Sequence, residues 1–295
     1  MLRPAVLVAL ALASPLAAQQ AFRSGVELVH LPVVVAARDG QIVTALEPSD
    51  FEILEDGKLQ KISFFAQGAT REAVPMHLGL MLDKSESMQQ DLRAACNAAV
   101  RFVTKFDEAV DVTFVDFDSK VSVGRFSPPS YPQLFERIRD KKAGGMTALY
   151  DALGMYLETA LRRDGQHVLL LYTDGGDSTS HMTFGRLTDL LRLANVVVYV
   201  VGYLDNQSSS QRVTQQMRMS QIARETGGDS FFPSSADNLD EIYEKILSEI
   251  GGRYTIGYSP AAGGSDGKFR KIEVKLKRSD LKGVKVRTRS GYMRQ

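Results

Sequence analysis

The 295-residue sequence contains one cysteine, no tryptophan and only four histidines. A single cysteine cannot form an intrachain disulfide, so the fold must be stabilised by its hydrophobic core. No cluster of histidine and cysteine is present, which excludes the usual ligand pattern of a zinc site. Cys96 shares a helical spacing with Ala99 and Val103, and this spacing predicts a buried, unreactive thiol.

Net charge and long apolar runs are also scarce. The 36 Lys and Arg residues nearly balance the 35 Asp and Glu residues, so the bulk charge does not indicate a polyanionic partner. The apolar run at residues 5–13 is shorter than the roughly 20 residues that a helix needs to cross a bilayer. Residues 1–20, with Arg3 before this run and small residues after it, are typical of a secretory signal peptide. We therefore expect an exported protein without a transmembrane span, located in a periplasm, at the cell surface or in the medium.

Residues 75–250 alternate between short apolar runs and amphipathic stretches. This order predicts an α/β domain with a doubly wound, mainly parallel, Rossmann-like sheet and helices on both faces. The predicted central strands are 78–82, 112–115, 168–172 and 197–201, and the predicted edge strands are 121–126 and 230–232. The predicted helices are 92–106, 131–141, 149–161, 184–193, 211–224 and 239–250.

The flanks, residues 21–72 and 252–295, show period-two alternation and turn signals instead. The predicted strands are 26–37, 51–54, 59–65, 254–258, 272–276 and 284–286, with turns at Asp56-Gly57 and near Gly263-Gly264. Units this small are seldom stable without disulfides, so we predict that the flanks pair into one β-sandwich around the inserted α/β domain. Two independent small β modules are the alternative.

Oxygen-bearing side chains follow the ends of the predicted strands. Asp83, Ser85 and Ser87 come directly after the first central strand, Thr147 precedes a helix, and Asp174 follows another central strand. Ligands of parallel α/β sheets bind at the carboxyl ends of the strands. Two carboxylates and three hydroxyls suit a hard cation, Mg²⁺ first, with Mn²⁺ or Ca²⁺ as alternatives. The sequence therefore predicts a metal site formed by these five residues.

Each part of this pattern also has a structural interpretation. Ser87 with Gln90 fits a helix capping box, Thr147 could be an N-cap, and Asp174-Gly175 could be only a turn. The occurrence of all three parts in order at strand ends favours the metal site. Three further acids are expected in solvated loops, with a role beside the metal as the alternative: Asp116, Asp118 and Asp177.

The order D-x-S-x-S, then T, then T-D-G closely resembles the metal-ion-dependent adhesion site of von Willebrand factor type A domains. The resemblance covers about residues 75–250 and includes the sequence segments 145–153 and 169–174. It implies that the hydroxyls of Ser85, Ser87 and Thr147 contact the cation. It implies also that Asp83 and Asp174 bind the cation directly or through water. The flanks are similar to those of exported bacterial proteins of this group.

A cation held in this way has room for a ligand from a partner, such as a glutamate or aspartate of a protein. We therefore expect a protein-binding or adhesion module that is not an enzyme. A structural subunit or organiser of a cell-envelope assembly is the alternative. A hydrolase is disfavoured because no G-x-S-x-G motif or Walker loop is present.

The C-terminal residues 268–295 contain eleven Lys and Arg residues against two acids. Lys271, Lys275 and Lys277 alternate with apolar residues, as on the wet face of a half-buried strand. We therefore expect no nucleic-acid partner, while an acidic surface polymer remains an alternative ligand of these strands.

Overall fold

The computed structural model describes residues 28–68, 75–106, 108–205, 207–234, 238–260, 267–281 and 283–293. The proposed signal peptide and the turn near Gly263-Gly264 lie outside these residues. Among the described helices, none combines the length and the apolar character needed to cross a membrane.

Strands and helices occur in the order that the sequence predicts, with flanking strands on either side of an α/β region. The strands are β1 (Val29–Ala36), β2 (Phe51–Glu55), β3 (Lys58–Gln60), β4 (Ile62–Gln67), β5 (Met76–Asp83), β6 (Asp111–Phe117), β7 (Val121–Phe126), β8 (Gln166–Thr173), β9 (Val196–Gly202), β10 (Ser230–Phe231), β11 (Tyr254–Tyr258), β12 (Phe269–Leu276), β13 (Lys285–Arg287) and β14 (Gly291–Met293). The helices are α1 (Leu92–Lys105), α2 (Tyr131–Arg139), α3 (Leu149–Leu161), α4 (Phe184–Leu193), α5 (Ser209–Thr226) and α6 (Leu239–Gly252).

The central sheet has six strands in the order β10-β9-β8-β5-β6-β7. All neighbours are parallel except the edge strand β7, which runs antiparallel to β6. The four inner strands are buried over nearly their whole length, as expected for strands that are covered on both faces. The mainly parallel α/β fold is confirmed.

Two hydrophobic cores cover the two faces of this sheet. Helices α1, α2 and α6 pack on one face, and α3, α4 and α5 pack on the other. Leu78, Leu80 and Leu82 of β5 point to the first face, because alternate strand residues share a face. Gly79 points to the second face, where a Cβ atom would lie 2.4 Å from the ring of Tyr156. The glycine therefore permits close packing of α3 on the centre of the sheet.

The flanks form two four-stranded antiparallel sheets, and each sheet contains strands from both flanks. Their orders are β13-β1-β11-β4 and β14-β12-β2-β3. A third hydrophobic core joins the two sheets, with Leu31, Ile53 and Ile256 fully buried. The flanks are therefore paired in one sandwich, and the alternative of two independent modules is wrong.

One predicted strand of the sandwich is divided in the structure. Residues 59–65 were expected to form a single strand, but β3 and β4 separate at Lys61 and enter different sheets. The preceding turn is confirmed, since Asp56 and Gly57 have φ values of +47° and +79°, the backbone of a two-residue hairpin. The short strand β14 was not predicted, because Gly291–Met293 does not alternate between apolar and polar residues.

The shared core predicts different costs for two truncations in the same hairpin. Ile53→Ala removes a fully buried side chain and should lower the free energy of unfolding by about 2–5 kcal/mol. Leu59→Ala is the matched control, because this side chain is 68% exposed, and the change should cost within about 0.5 kcal/mol. Urea unfolding followed by circular dichroism measures both values, and equal effects would contradict the shared core.

Candidate metal centre

Strands β5 and β8 are parallel neighbours that end at the same edge of the central sheet, called here the carboxyl edge. Leu82 pairs with Tyr172, so the next residues, Asp83 and Thr173, lie side by side. The Thr173 hydroxyl donates a hydrogen bond of 2.6 Å to Oδ2 of Asp83. Asp174 follows immediately, which brings the second predicted carboxylate to this edge.

Asp83 is a fully buried carboxylate at the centre of the carboxyl edge. Its Oδ1 accepts a 2.9 Å hydrogen bond from the backbone N–H of Ser85. Burial raises the pKa of Asp83 to about 7, and the nearby Asp174 carboxylate acts in the same direction. Asp174 is itself only 3% exposed. The two acids are therefore close together in a site that is largely shielded from solvent.

Ser85 and Ser87 lie in the loop that follows Asp83. Their hydroxyl oxygens are 3.2 Å apart, with Ser85 buried and Ser87 exposed. The loop contains a short 3₁₀ turn, Glu86–Met88, and the N-cap of α1 is Asp91. The capping-box interpretation of Ser87 is therefore wrong, and its hydroxyl is free of that role.

Thr147 lies in the loop before α3 and is 7% exposed. Its carbonyl oxygen accepts hydrogen bonds from the backbone N–H groups of Ser178 and Thr179, at 2.9 and 3.1 Å. The same loop reaches the loop after β5, since the Gly144 N–H donates to the Lys84 carbonyl at 2.9 Å. Backbone hydrogen bonds therefore join the three loops that carry the predicted ligands.

The N-terminus of α3 does not use the Thr147 hydroxyl as a cap. The Tyr150 N–H donates instead to Oδ1 of Asp177 at 3.2 Å and to Oγ of Ser180 at 3.1 Å. The N-cap position is Ala148, which has no side-chain acceptor. The N-cap interpretation of Thr147 is therefore wrong.

Asp174 is held from two sides. Its Oδ1 accepts a 3.0 Å hydrogen bond from the Gly176 N–H. The intervening Gly175 has a φ of +78°, so Asp174 and Gly175 form the turn that the sequence offered as an alternative. This turn does not remove Asp174 from the candidate site. Its Oδ2 accepts a 2.7 Å hydrogen bond from Nε2 of Gln207. Sequence reasoning missed Gln207, because a loop amide after β9 carries no spacing signal. It also missed the supporting role of Thr173, which the T-D-G motif contains.

The three weaker acids have structural partners. Asp116 is 2% exposed and forms an ion pair with Lys141 at 3.0 Å, so the expectation of a solvated loop is wrong for it. Asp118 pairs with Lys84. Asp177 caps α3, as described above. Sequence alone did not reveal that the cationic partners of Asp116 come from α2 and the residues that follow it.

The two central carboxylates lack such partners. Neither Asp83 nor Asp174 has a Lys or Arg nitrogen within 4.0 Å among the described residues. Burial of charge without compensation is costly, and a divalent cation would supply the missing charge. The described part of the chain contains no group of three or more His, Cys, Asp or Glu residues suited to a metal. The side chains gathered here, two carboxylates with nearby hydroxyls, are oxygen donors of the kind that a hard divalent ion prefers.

Comparison with known proteins identifies the family of the α/β region. Residues 77–245 match the family model of the von Willebrand factor type A (VWA) domain. The chain belongs to this family. A search of curated proteins finds no match.

Several solved structures share the fold of this VWA protein. A von Willebrand factor type A protein from Catenulispora acidiphila has a TM-score of 0.51 at 13% identity, over 92% of this chain and 75% of that one. Proximal thread matrix protein 1 from the mussel byssus has a TM-score of 0.51 at 20% identity, over 66% of this chain and 50% of that one. In that structure zinc occupies the metal-ion-dependent adhesion site (MIDAS) motif. The pilus adhesin SpaC from Lactobacillus rhamnosus GG has a TM-score of 0.51 at 12% identity, over 85% of this chain and 48% of that one. This chain therefore spans about half the length of the mussel protein and of the pilus adhesin.

The uncompensated charge of the VWA site predicts how Mg²⁺ and a charge-removing variant change the stability of the protein. Mg²⁺ should raise the melting temperature of the wild type, because it binds the folded state only. Asp83→Asn should abolish this rise, yet leave the metal-free protein as stable as the wild type or more stable, because it removes an unpaired buried charge. Thermal unfolding with Mg²⁺ and with EDTA measures both effects.

Asp116→Asn is the matched control for that experiment. Asp116 is also buried, is the last residue but one of the neighbouring strand β6 and has cationic partners. Loss of its charge should therefore destabilise the metal-free protein by about 3 kcal/mol. The Mg²⁺-dependent rise should remain. A lost rise in Asp116→Asn, or an unchanged rise in Asp83→Asn, would contradict the assignment of the site.

Gln207 provides a separate test of how Asp174 is oriented. Gln207→Ala removes the amide that fixes Oδ2 of Asp174 and should weaken Mg²⁺ or Mn²⁺ binding by about tenfold, as loss of an outer hydrogen bond does at other metal sites. Isothermal titration calorimetry measures the affinity. The neighbouring exposed residue Ser208 serves as the control, and Ser208→Ala should bind like the wild type.

Proposed function

We propose that this protein is an exported protein-binding or adhesion module that recognises a partner carboxylate through a divalent cation. The cation is held by Asp83, Ser85, Ser87, Thr147 and Asp174. The observation that carries the proposal is the pair of buried, uncompensated carboxylates beside two hydroxyls at the carboxyl edge. Ser87 and Met146 are exposed at the same edge, so a cation in the site would be accessible to a partner.

Mg²⁺ is the cation that we expect, with Mn²⁺ and Ca²⁺ as alternatives that the oxygen donors also accept. Two carboxylates balance the charge of the ion formally, while hydroxyls and waters complete its coordination. Mg²⁺ commonly keeps exchangeable waters, so a glutamate or aspartate of a protein partner could replace one of them. The zinc-occupied motif of the mussel structure supports the idea that this fold accommodates a divalent ion.

Recognition accounts for the site better than catalysis does. Ser85 contacts Ser87, and neither has a histidine partner among the described residues that could serve as a general base. His181 follows Asp174 along the chain, but its side chain is 99% exposed and its ring lies 3.2 Å from Asp151. We therefore propose a binding protein and not a hydrolase.

Binding of an acidic polymer by the C-terminal strands is less well supported. Arg287 forms ion pairs with Asp229 and Glu249, each at 2.5 Å. Arg289 is 7% exposed and donates to the Arg192 carbonyl at 2.6 Å. These two arginines therefore stabilise the contact between the sandwich and the VWA domain. Because they are engaged within the protein, they are not available to an acidic polymer, and we favour a protein partner at the metal site.

The N-terminal sequence pattern supports export, and so does the pilus adhesin that shares the fold. A structural subunit of an envelope assembly would use the same site, because assembly through a partner carboxylate needs the same cation. We therefore treat adhesion as the primary function and assembly as one setting in which it could operate.

A metal-dependent pull-down from native extract tests the function. The wild type should capture a partner in Mg²⁺ and lose it in EDTA, and both Asp83→Ala and Ser85→Ala should lose the same partner. Asp189→Ala is the charge-matched control, because this carboxylate on α4 is 65% exposed and outside the site. Capture that persists in EDTA and in both site variants would contradict recognition through the cation.

A further inference from the structure

A cavity lies at the edge of the central sheet opposite the metal site, called here the amino edge. Its volume is about 340 Å³, within the usual range of small-molecule sites. Gln166 and His167 line it at the start of β8, and His30 and Thr255 line it from β1 and β11 of the sandwich. The cavity therefore lies where the VWA domain meets the sandwich, remote from the metal site.

Arg253 places a buried positive charge in the wall of this cavity. It directly follows α6 and is only 2% exposed. Among the described residues, Gln166 Oε1 is the one hydrogen-bond acceptor of its guanidinium, and Nε has no partner. No described carboxylate lies within 4.0 Å of it. A guanidinium has five N–H donors and does not lose its charge in proteins, so most of its bonding capacity is unused.

The other arginine of the wall is compensated within the protein. Arg163 donates to Oδ2 of Asp111 at 2.7 Å, and Arg125 donates to the same oxygen at 2.6 Å. Burial acts to raise the pKa of Asp111, but the hydrogen bonds from Arg163, Arg125 and His77 outweigh it and lower the pKa to about 2. Asp111 is therefore ionised at neutral pH and balances Arg163. Arg253 has no ion-pair partner within 4.0 Å among the described residues, and Glu108 acts on its charge only from a greater distance.

The rest of the wall suits a small ligand of limited negative charge. Burial lowers the pKa of His167 to about 4 and lowers that of His30, so both rings are neutral at physiological pH. Gln166, Asn195 and Thr255 add neutral polar groups. Asp164, the acid of the wall, is exposed and would repel a second negative charge near it. With one buried guanidinium in its wall, the cavity therefore suits a ligand that carries a single negative group.

We propose that this cavity binds a small organic carboxylate, which pairs with the guanidinium of Arg253. A planar carboxylate matches the fork of the guanidinium with two parallel hydrogen bonds, and such charge-assisted pairs are the stronger ones in proteins. Because the wall includes strands of both units, the ligand stabilises their packing against each other. The site is independent of the cation at the carboxyl edge.

Thermal unfolding and calorimetry with defined anions test this proposal. Acetate and propionate are the probes, phosphate and chloride at equal ionic strength are the comparisons, and divalent cations are left out of the buffer throughout. The two carboxylates should raise the melting temperature of the wild type in a saturable way, whereas chloride should not. Arg253→Met should bind them at least about tenfold more weakly. Asp83→Asn should bind them like the wild type, which separates this site from the proposed function.

Arg253→Met should fold, because replacing an unpaired buried charge by an apolar side chain is often neutral or stabilising. Asn195→Trp is a second variant that leaves Arg253 intact and places a bulky group at the exposed part of the wall. It too should weaken carboxylate binding. The proposal is wrong if no carboxylate gives a saturable shift, if Arg253→Met binds like the wild type, or if phosphate binds and carboxylates do not.

Discussion

The carboxyl edge depends on one electrostatic constraint, the burial of two carboxylates without a cationic side chain beside them. Asp83 and Asp174 are both nearly inaccessible to solvent, and their charges repel each other. Neutral donors hold them in place: the Thr173 hydroxyl, the Gln207 amide and backbone N–H groups. Hydrogen bonds orient the carboxylates but do not cancel their charge. The fold therefore leaves a local excess of negative charge that an external divalent ion would balance.

The neighbouring strand shows that this arrangement is specific to the site. Asp116 lies beside Leu82 in the sheet register and is as deeply buried as Asp174, yet it has both Arg137 and Lys141 within ion-pair distance. The sheet can therefore compensate a buried acid at this edge, and it does so for Asp116 but not for the pair on β5 and β8. The amino edge has the opposite imbalance, since the buried cation Arg253 has no carboxylate within 4.0 Å in the part of the chain that the structure describes. The two edges of one sheet thus favour ligands of opposite charge.

Sequence alone predicted the parts of the structure that rest on periodicity. The inner strands of the sheet are continuous apolar runs, and α3 and α4 have the predicted bounds, because burial on a face imposes a regular pattern. The hairpin turn at Asp56-Gly57 was predicted because its backbone needs positive φ values. The separation of β3 from β4 at Lys61 was not predicted, because both strands fit one alternating pattern and only tertiary packing decides which sheet each enters.

Part of the candidate site could also be predicted from the sequence pattern. Strand ends and hydroxyl or carboxyl side chains can be located in a sequence, and the parallel sheet brings them to one edge. Gln207 and the ion pairs of Asp116 could not be found in this way, because these contacts join residues that are distant along the chain without a common spacing. The structure also rejects the helix-capping roles of Ser87 and Thr147. Asp91 occupies the N-cap position of α1, and Asp177 and Ser180 accept hydrogen bonds from the first turn of α3.

Crystals grown with Mn²⁺ and measured at a wavelength where manganese scatters anomalously test the central claim most directly. We expect one strong anomalous peak at the carboxyl edge, within coordination distance of the hydroxyls of Ser85 and Ser87 and next to Asp83 and Asp174. An occupied peak elsewhere, or no peak at this edge with the loops unchanged, would contradict it.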